Sequence, residues 1–488
     1  MCGLLAIFTN EPSSDLASHA RNMLLTMRHR GPDDTHLVSF ARGILTSPDH
    51  PADTALGLNR LAIQDLSMAG RQPMCDPAGR YWIVFNGEIY NFLELRTDLQ
   101  ARGERFETGT DTEVLLRLLS MRGIEALASL DGMFAFVLFD TQERRVIAVR
   151  DRFGIKPLYY WRTPRGDLCF ASEIKAFTTH PQWSPTLNRC RAFDFLTRGL
   201  IDHTSQTMFA GVEQIPGGHL ATFQLDDLDS FKVSGWYELR PTAFAGSAAD
   251  AARECRSLFD DSVRLRLRAD VTVGSCLSGG IDSSSIVCSM SHERLKSSPT
   301  TNQKTFTARH SDPALDEWPY AREVAQVAQV EALEVHPDGA EMLDRLDELV
   351  WIQDEPFASS SIYAQYCVFR AARQQGVIVI LDGQGADEQF AGYHAFFKVR
   401  LLELLRRGRL IRFFGELRNI SKVHRYPKLR LIGQTLNALR PLRNLASRRM
   451  VSRLLNESAF GEHLPDPFHM MPCQRRGVCA FSIEQLQA

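Results

Sequence analysis

The sequence predicts two successive bodies, an α+β domain of layered, largely antiparallel sheets and then an α/β domain built on a parallel sheet. Three observations predict it. Short apolar runs of strand type, with few helices among them, fill residues 1–215; a polar, acidic and then small-residue-rich stretch spans 224–246; beyond it, strands alternate with helices. Many short strands favour antiparallel layers, whereas strict alternation favours a parallel sheet covered on both faces. The expected boundaries are 1–215, a connecting segment 216–247, and 248–488.

Residues 14–28 read as a helix, with serine available as N-cap and Gly31-Pro32 as the stop signal. Strand-type runs follow at 55–63, 82–85, 134–139, 146–149, 158–161 and 168–171. After the boundary a helix over 248–268 leads to a strand at 272–277, a glycine turn and a helix. A strand at 305–309, another helix and a strand at 377–381 complete the alternation. No internal repeat interrupts it.

Composition narrows the function classes. A chain of 488 residues has room for two or three buried cores, and 44% hydrophobic with 23% charged residues excludes disordered and fibrous classes. With 56 basic against 58 acidic side chains the whole is close to neutral, so no nucleic-acid partner is expected. No run approaches the ~18–20 uncharged apolar residues of a membrane span, and residues 1–12 lack the basic region of a secretory signal. Ten cysteines without a pairing rhythm read as reduced thiols, and a cytoplasmic enzyme is expected. Residues 398–453 concentrate 16 Lys or Arg against Glu403 and Glu416. They read first as helices whose arginines cover apolar surface, and second as a contact for a membrane surface or another anionic partner.

Cys2 precedes Gly3 and an apolar run. Removal of Met1 would leave a thiol and a free α-amine on one residue. An α-amine has a pKa of about 7.7–8.0, so near neutrality it can take the thiol proton without a separate histidine. Arg28-His29-Arg30-Gly31-Pro32-Asp33, Asn59-Arg60-Leu61, Asn86-Gly87-Glu88-Ile89-Tyr90-Asn91 and Gly109-Thr110-Asp111-Thr112-Glu113 follow in that order, then Asp131-Gly132-Met133-Phe134-Ala135 and Arg150-Asp151-Arg152-Phe153-Gly154-Ile155-Lys156-Pro157-Leu158. By local chemistry alone, Asn86-Gly87 reads as a hairpin turn and Arg60 as a structural ion pair.

Taken jointly with Cys2, these motifs resemble the class II glutamine amidotransferases over nearly all of residues 1–215. That N-terminal-nucleophile group includes the glutamine-hydrolysing asparagine synthetases. The resemblance implies that Cys2 attacks the side-chain amide of glutamine, giving a glutamyl thioester and ammonia. The oxyanion would be met by the Asn86 side chain and the Gly87 N–H. Arg60 suits the α-carboxylate of glutamine and Asp111 its ammonium; Glu88 joins this glutamine-binding set.

The run ending in Leu277, followed by Ser278-Gly279-Gly280-Ile281-Asp282-Ser283-Ser284 and a helix, places backbone N–H groups at a positive helix end. The loop lacks the lysine of a GxxxxGK[ST] loop. It resembles the pyrophosphate loop of ATP pyrophosphatases, which implies ATP as substrate and Mg²⁺ held by Asp282. Asp382-Gly383-Gln384-Gly385-Ala386-Asp387-Glu388 puts carboxylates at the C-terminal edge of the sheet. By the resemblance, Asp382 and Gly383 border the nucleotide, Gln384 and Asp387 face the amide acceptor, and Asp387 is a second metal donor. Thr307 is placed on the nucleotide wall by position.

The resemblance therefore implies a glutamine-dependent amide ligase with glutamine, ATP and aspartate as small-molecule substrates, releasing AMP and pyrophosphate; a homodimer is compatible with it. Two departures keep alternatives open. Related synthetases commonly carry glutamate where Gln384 stands, and an amide cannot accept a proton from ammonia. The run Asp354-Glu355-Pro356-Phe357-Ala358-Ser359-Ser360-Ser361 offers no arginine for an aspartate carboxylate. The acceptor is accordingly aspartate or another carboxylate, such as a sugar acid, a peptide or an antibiotic precursor. The run 480–484 resembles a segment that in related synthetases precedes further chain. A synthetase half incomplete at its C-terminus, with glutaminase or binding activity only, is the third reading. His463, His469, Cys473 and Cys479 fit no common zinc spacing, and the tail reads as loose.

Overall fold

The computed structural model describes residues 1–297, 303–424, 427, 428 and 431–433. Strands β1 (Gly3–Ser13), β2 (Asp34–Ala41), β3 (Ile44–Thr46), β4 (Ala52–Arg60), β5 (Met74–Cys75), β6 (Tyr81–Ile89), β7 (Gly132–Asp140), β8 (Arg145–Arg150), β9 (Tyr159–Arg162), β10 (Leu168–Ala171), β11 (Val212–Gln214), β12 (His219–Gln224) and β13 (Asp227–Gly235) build the first body. Helices α1 (Leu16–Thr26), α2 (Phe92–Ala101), α3 (Asp111–Arg122) and α4 (Arg189–Arg198) lie between them. The strands form two antiparallel sheets, in the orders β11-β9-β10-β1-β4-β2-β3 and β13-β12-β8-β7-β6-β5.

Alternation along β1 explains the layering. Leu4, Ala6 and Phe8 point into the core between the sheets, while Leu5 and Ile7 pack on the other face with Leu16, Ala20, Met23 and Leu24 of α1. In the same way Val84 of β6 joins the inter-sheet core, and Ile83 and Phe85 pack with Val114, Leu115 and Leu118 of α3. The result is helix, sheet, sheet, helix. Aromatic rings tie the two sheets together: Phe8 meets Phe139, Phe170 and Phe223 edge-on at 6.2, 6.2 and 5.2 Å.

The predicted strands are present, several with shifted ends: the run 55–63 is Ala52–Arg60, and 82–85 extends to Tyr81–Ile89. The first helix is shorter than 14–28, and its N-cap is Asp15 rather than a serine. The stretch 216–247 differs more. It carries β12 and β13, which extend the second sheet beyond β8, so the first body's strands run to Gly235.

Helix α5 (Ala248–Arg266) opens the second body, with Ser247 and Asp250 forming a capping box. Its strands β14 (Val273–Cys276), β15 (Lys304–Ala308), β16 (Glu331–Val335) and β17 (Val379–Leu381) are parallel, in the order β16-β15-β14-β17. Helices α6 (Ile281–Ser297), α7 (Trp318–Ala328), α8 (Gly339–Asp344), α9 (Leu346–Gln353) and α10 (Ser361–Gln374) connect them; α11 (Ala386–Phe390), α12 (His394–Arg406) and α13 (Leu410–Val423) follow. β16 is absent from the sequence expectation.

The described part of the basic segment is helical, as expected: Leu401 and Leu404 of α12 pack with Phe413, Leu417 and Ile420 of α13, while Arg400 and Arg407 pair with Glu403. The rest of that segment, with His463, His469, Cys473, Cys479 and 480–484, lies outside the described residues. Among the described residues no helix is long and apolar enough to cross a membrane.

Phe170 is fully buried and stacks on Phe223 at 6.0 Å with 5° between ring planes. Phe170→Ala is expected to destabilise the first body by about 3–5 kcal/mol, read as a lowered urea midpoint with an unchanged slope.

Candidate active sites in the two bodies

Cys2 continues the inward row of Leu4, Ala6 and Phe8 and packs at the rim of the inter-sheet core. Its thiol lies 3.5 Å from the Leu61 N–H nitrogen and 3.8 Å from the Leu61 carbonyl oxygen. Arg30 Nε donates to the Cys2 carbonyl at 2.8 Å. Cys2, Arg60, Gln64, Gly87, Glu88 and Asp111 line a cavity of about 30 Å³, space for water or ammonia but not for a whole amino acid.

Asn86 and Gly87 lie inside β6, not at a turn. An antiparallel strand sends alternate N–H groups to opposite edges. On the edge away from β7, the Phe85 N–H donates to Gln72 Oε1 at 2.7 Å and the Ile89 N–H to Asp111 Oδ2 at 2.8 Å. The Gly87 N–H lies between them on that edge, facing the cavity. Gly87 is also a steric requirement, because a Cβ there would stand 2.4 Å from the Met133 carbonyl oxygen. The Asn86 side chain is wholly buried, and neither its Nδ2 nor its Oδ1 has a partner. An orphaned buried amide costs about 1–3 kcal/mol, so it marks a site where folding is not the only demand.

Arg60 is partly committed. Nη1 donates to the Ser67 carbonyl at 2.7 Å, and Nη2 to those of Gln64 and Asp65 at 3.2 and 2.6 Å. A guanidinium has five N–H donors, so Nε–H and one Nη1 hydrogen remain. The same loop is held from the second body: the Asp65 N–H donates to Asp270 Oδ2 at 2.8 Å and the Asp270 N–H to the Ile63 carbonyl at 2.9 Å.

Burial shifts the titratable groups in and around the cavity toward their neutral forms. Burial raises the Asp111 carboxyl to about 6 against the pull of the Ile89 and Thr112 N–H donors. Burial and then the neighbouring Asp111 charge push Glu88 well above the usual range. Burial likewise raises the Cys2 thiol, lowers the Lys156 ammonium and lowers the Met1 amine to about 5. Sequence reasoning assigned no role to Gln64, which donates to Glu88 Oε2 at 2.8 Å, to Gln72, or to Lys156, whose side chain reaches the same charges. Only the position of Lys156 inside a recognised motif signalled it.

In the second body, the loop after β14 turns through Gly279 at φ +78°, and a Cβ there would stand 2.5 Å from Tyr320 Cβ on α7. Ser278 Oγ and Ser283 Oγ are 3.0 Å apart, and the Ser278 N–H donates to Ser283 Oγ at 3.2 Å. Ser284 Oγ is buried without a partner. Thr307 Oγ1 donates to the Leu277 carbonyl at 2.6 Å, fixing β15 to the loop.

Across the sheet, β17 pairs with β14, and a Cβ on Gly383 would lie 3.3 Å from both Asp282 Cβ and Ser283 N. The two glycine motifs therefore meet. They do so where the sheet order reverses between β14 and β17, the place at which open α/β sheets bind ligands. Asp382 Oδ1 accepts the Gly383 N–H at 2.6 Å. Gln384 is exposed. Asp387 Oδ1 occupies the space beside Gly392 that a Cβ would need. Asp354 and Glu355 turn away from this crevice: they accept hydrogen bonds from Ile174 N and Met208 N of the first body at 2.7 and 2.6 Å.

A glutamine amidotransferase domain profile matches residues 1–234, and an asparagine synthase profile matches residues 254–470. The chain is 31% identical over 425 residues to the putative asparagine synthetase (glutamine-hydrolyzing) 2 of Methanocaldococcus jannaschii, covering 83% of this chain and 78% of that protein. This chain belongs to the glutamine-hydrolysing asparagine synthetase family. It is also 33% identical over 399 residues to asparagine synthetase (glutamine-hydrolyzing) 1 of Bacillus subtilis, covering 81% of this chain and 59% of that protein. Amidase chry2 of Gibberella zeae is 31% identical over 421 residues, covering 81% of this chain and 60% of that protein. The chain thus spans about three-fifths of the length of most of these curated relatives.

Two neighbouring glycines separate backbone need from mere presence. Gly279→Ala is expected to cost about 1–3 kcal/mol, because it combines a left-handed backbone with a clash on α7. Gly280→Ala meets only Ser278 Oγ at 3.3 Å and should cost less than about 1 kcal/mol. Urea unfolding of both variants checks the contrast.

Proposed function

We propose that the chain is a glutamine-dependent amide ligase that makes asparagine from aspartate, glutamine and ATP through β-aspartyl-AMP. The observation that carries this reading is the pairing of two sites in one chain. One is a cavity with Cys2, Gly87 and the two carboxyl groups of Glu88 and Asp111, the other a glycine loop meeting Gly383 at the sheet's switch point.

At the first site, removal of Met1 exposes the Cys2 amine. An α-amine has a pKa of about 7.7–8.0, so near neutrality a fraction of that amine is unprotonated and can take the thiol proton. The thiolate then attacks the glutamine amide carbon. The Gly87 N–H and the unpartnered Asn86 Nδ2 supply donors for the oxyanion. As the C–N bond breaks, the proton passes to the leaving nitrogen and ammonia departs; water later releases glutamate. Arg60's remaining donors suit the α-carboxylate, and Asp111 with Glu88 suits the ammonium, whose charge offsets their repulsion.

At the second site, N–H groups at the start of α6, with Ser278, Ser283 and Ser284, suit the phosphates of ATP. Asp282 and Asp387 are hard oxygen donors of the kind Mg²⁺ takes together with phosphate oxygens, and a bound ion would neutralise charge on the departing pyrophosphate. The acceptor carboxylate attacks the α-phosphorus, pyrophosphate leaves, and ammonia displaces AMP from the acyl carbon. By this reading Gln384 and Asp387 would face the acceptor.

A second reading keeps the chemistry and changes the acceptor. It is favoured by Gln384, which offers no carboxylate to deprotonate ammonia, and by the relatives named amidases. Pyrophosphate release across a panel of carboxylic acids separates the two.

Cys2→Ala is expected to abolish glutamine-dependent product and leave ammonia-dependent product intact; equal loss of both contradicts the two-site scheme, as does formation of ADP in place of AMP. Only ionised Asp111 pairs with an ammonium, and its carboxyl sits at about 6. The kcat/KM for glutamine hydrolysis should therefore decline as pH falls through that value. Asp111→Asn should lower it by on the order of 10- to 100-fold, the worth of one charge-assisted bond.

A further inference from the structure

An unbroken polar chain joins the Cys2 backbone to the second body. Arg30 Nε donates to the Cys2 carbonyl at 2.8 Å, and Arg30 Nη1 to Glu173 Oε1 at 2.8 Å. Lys175 Nζ lies 2.7 Å from Glu173 Oε2 and 3.0 Å from Asp354 Oδ1. The four side chains are only 7%, 11%, 2% and 8% exposed for Arg30, Glu173, Lys175 and Asp354, so water screens little of this. Two cations balance two anions.

Asp354 also acts as a helix cap supplied by the other body. The 3₁₀ helix Ile174–Thr179 receives no cap from its own N-cap residue, Glu173. Instead its first N–H groups, on Ile174 and Lys175, donate to Asp354 Oδ2 and Oδ1 at 2.7 and 3.3 Å. Asp354 follows α9 with a positive φ of +61°. Leu349 of α9 and Phe357 belong to the packed cluster of Phe306, whose neighbour Thr307 fixes the nucleotide loop. The path from that loop to Cys2 is therefore contiguous.

We propose that Asp354 is a positioning residue that couples glutamine hydrolysis at Cys2 to the state of the synthetase body, acting through Lys175, Glu173 and Arg30. The coupling rests on the ligase reading above; the clamp itself does not. Asparagine tolerates a positive φ and keeps one carbonyl oxygen for the Ile174 N–H, so Asp354→Asn removes the charge and the second oxygen that met Lys175 while half of the cap stays. The buried cluster then carries a net positive charge, which favours the Cys2 thiolate and loosens the tie between the bodies. Asp354→Gly also keeps the backbone conformation and removes both charge and cap.

The test uses full-length protein and two readouts. The first is the iodoacetamide alkylation rate of Cys2, followed by mass spectrometry of the N-terminal peptide. The second is glutamate formed per pyrophosphate with ATP, aspartate and glutamine present. Asp354→Asn should raise both at least threefold, leave ammonia-dependent pyrophosphate release within twofold, and leave the KM for glutamine unchanged. Asp354→Gly should raise both further. Wild-type values for both readouts in both variants would overturn the proposal. An alkylation rate that responds to Asp354 in a wild-type protein that releases no pyrophosphate would sink the ligase reading and leave the clamp standing.

Discussion

Desolvation of charge at the start of β1 is the constraint on which the rest depends. Leu4, Ala6 and Phe8 beyond Cys2 are fully buried, so alternation along one strand delivers a thiol to the edge of a low-dielectric region. There the Cys2 thiol, Glu88 and Asp111 line a cavity of about 30 Å³, and the Met1 amine and the Lys156 ammonium act on the same groups electrostatically. Each prefers its neutral form for the same reason. In the proposed reading a zwitterionic ligand brings counter-charges to these groups, so binding and relief of repulsion are one event. The orphaned Asn86 amide belongs to the same logic: its folding cost is tolerable because the core of aromatic rings around Phe8 and Phe170 is large.

How much of this the sequence discloses depends on the range over which each feature is encoded. The layered first body and the parallel second body are legible because alternation and strand-helix rhythm are local. Cys2, Asn86, Gly87 and Asp111 are legible only jointly, since Asn86-Gly87 alone has the chemistry of a turn. In the structure it runs through the middle of β6, because the missing Cβ lets the Met133–Phe134 backbone close to a distance no side chain permits. Strands β12 and β13 are hidden for a different reason. β13 is an edge strand, largely exposed, with aspartates and serines where a central strand would be apolar, and its composition imitates a linker.

The second site shows the same division. Gly279 announces its turn through its own backbone, and strand-loop-helix order is visible at once. That Gly383 lies against Asp282 is not visible, because it follows from β17 pairing beside β14 after more than ninety residues of intervening chain. Once that pairing is made, two separate motifs become one crevice. The acidic run at 354–355, read from sequence as a stretch with no cation for an acceptor, is spent on joining the bodies.

That joint is ionic, and its energetics explain why. Burying four charges costs several kcal/mol per ion, which their mutual attraction roughly repays, so the clamp adds little to overall stability. An apolar contact of the same area would stabilise more. It would also tolerate sliding, whereas an ion pair that caps a helix from across an interface has one register: Asp354 must meet both the Lys175 ammonium and the Ile174 N–H. Removing one partner strands its neighbour as an unpaired buried charge, at about 3–5 kcal/mol. Such a joint is indifferent to how strongly the bodies adhere and sensitive to whether they are aligned. Alignment is what the proposed transfer of ammonia between the two sites needs.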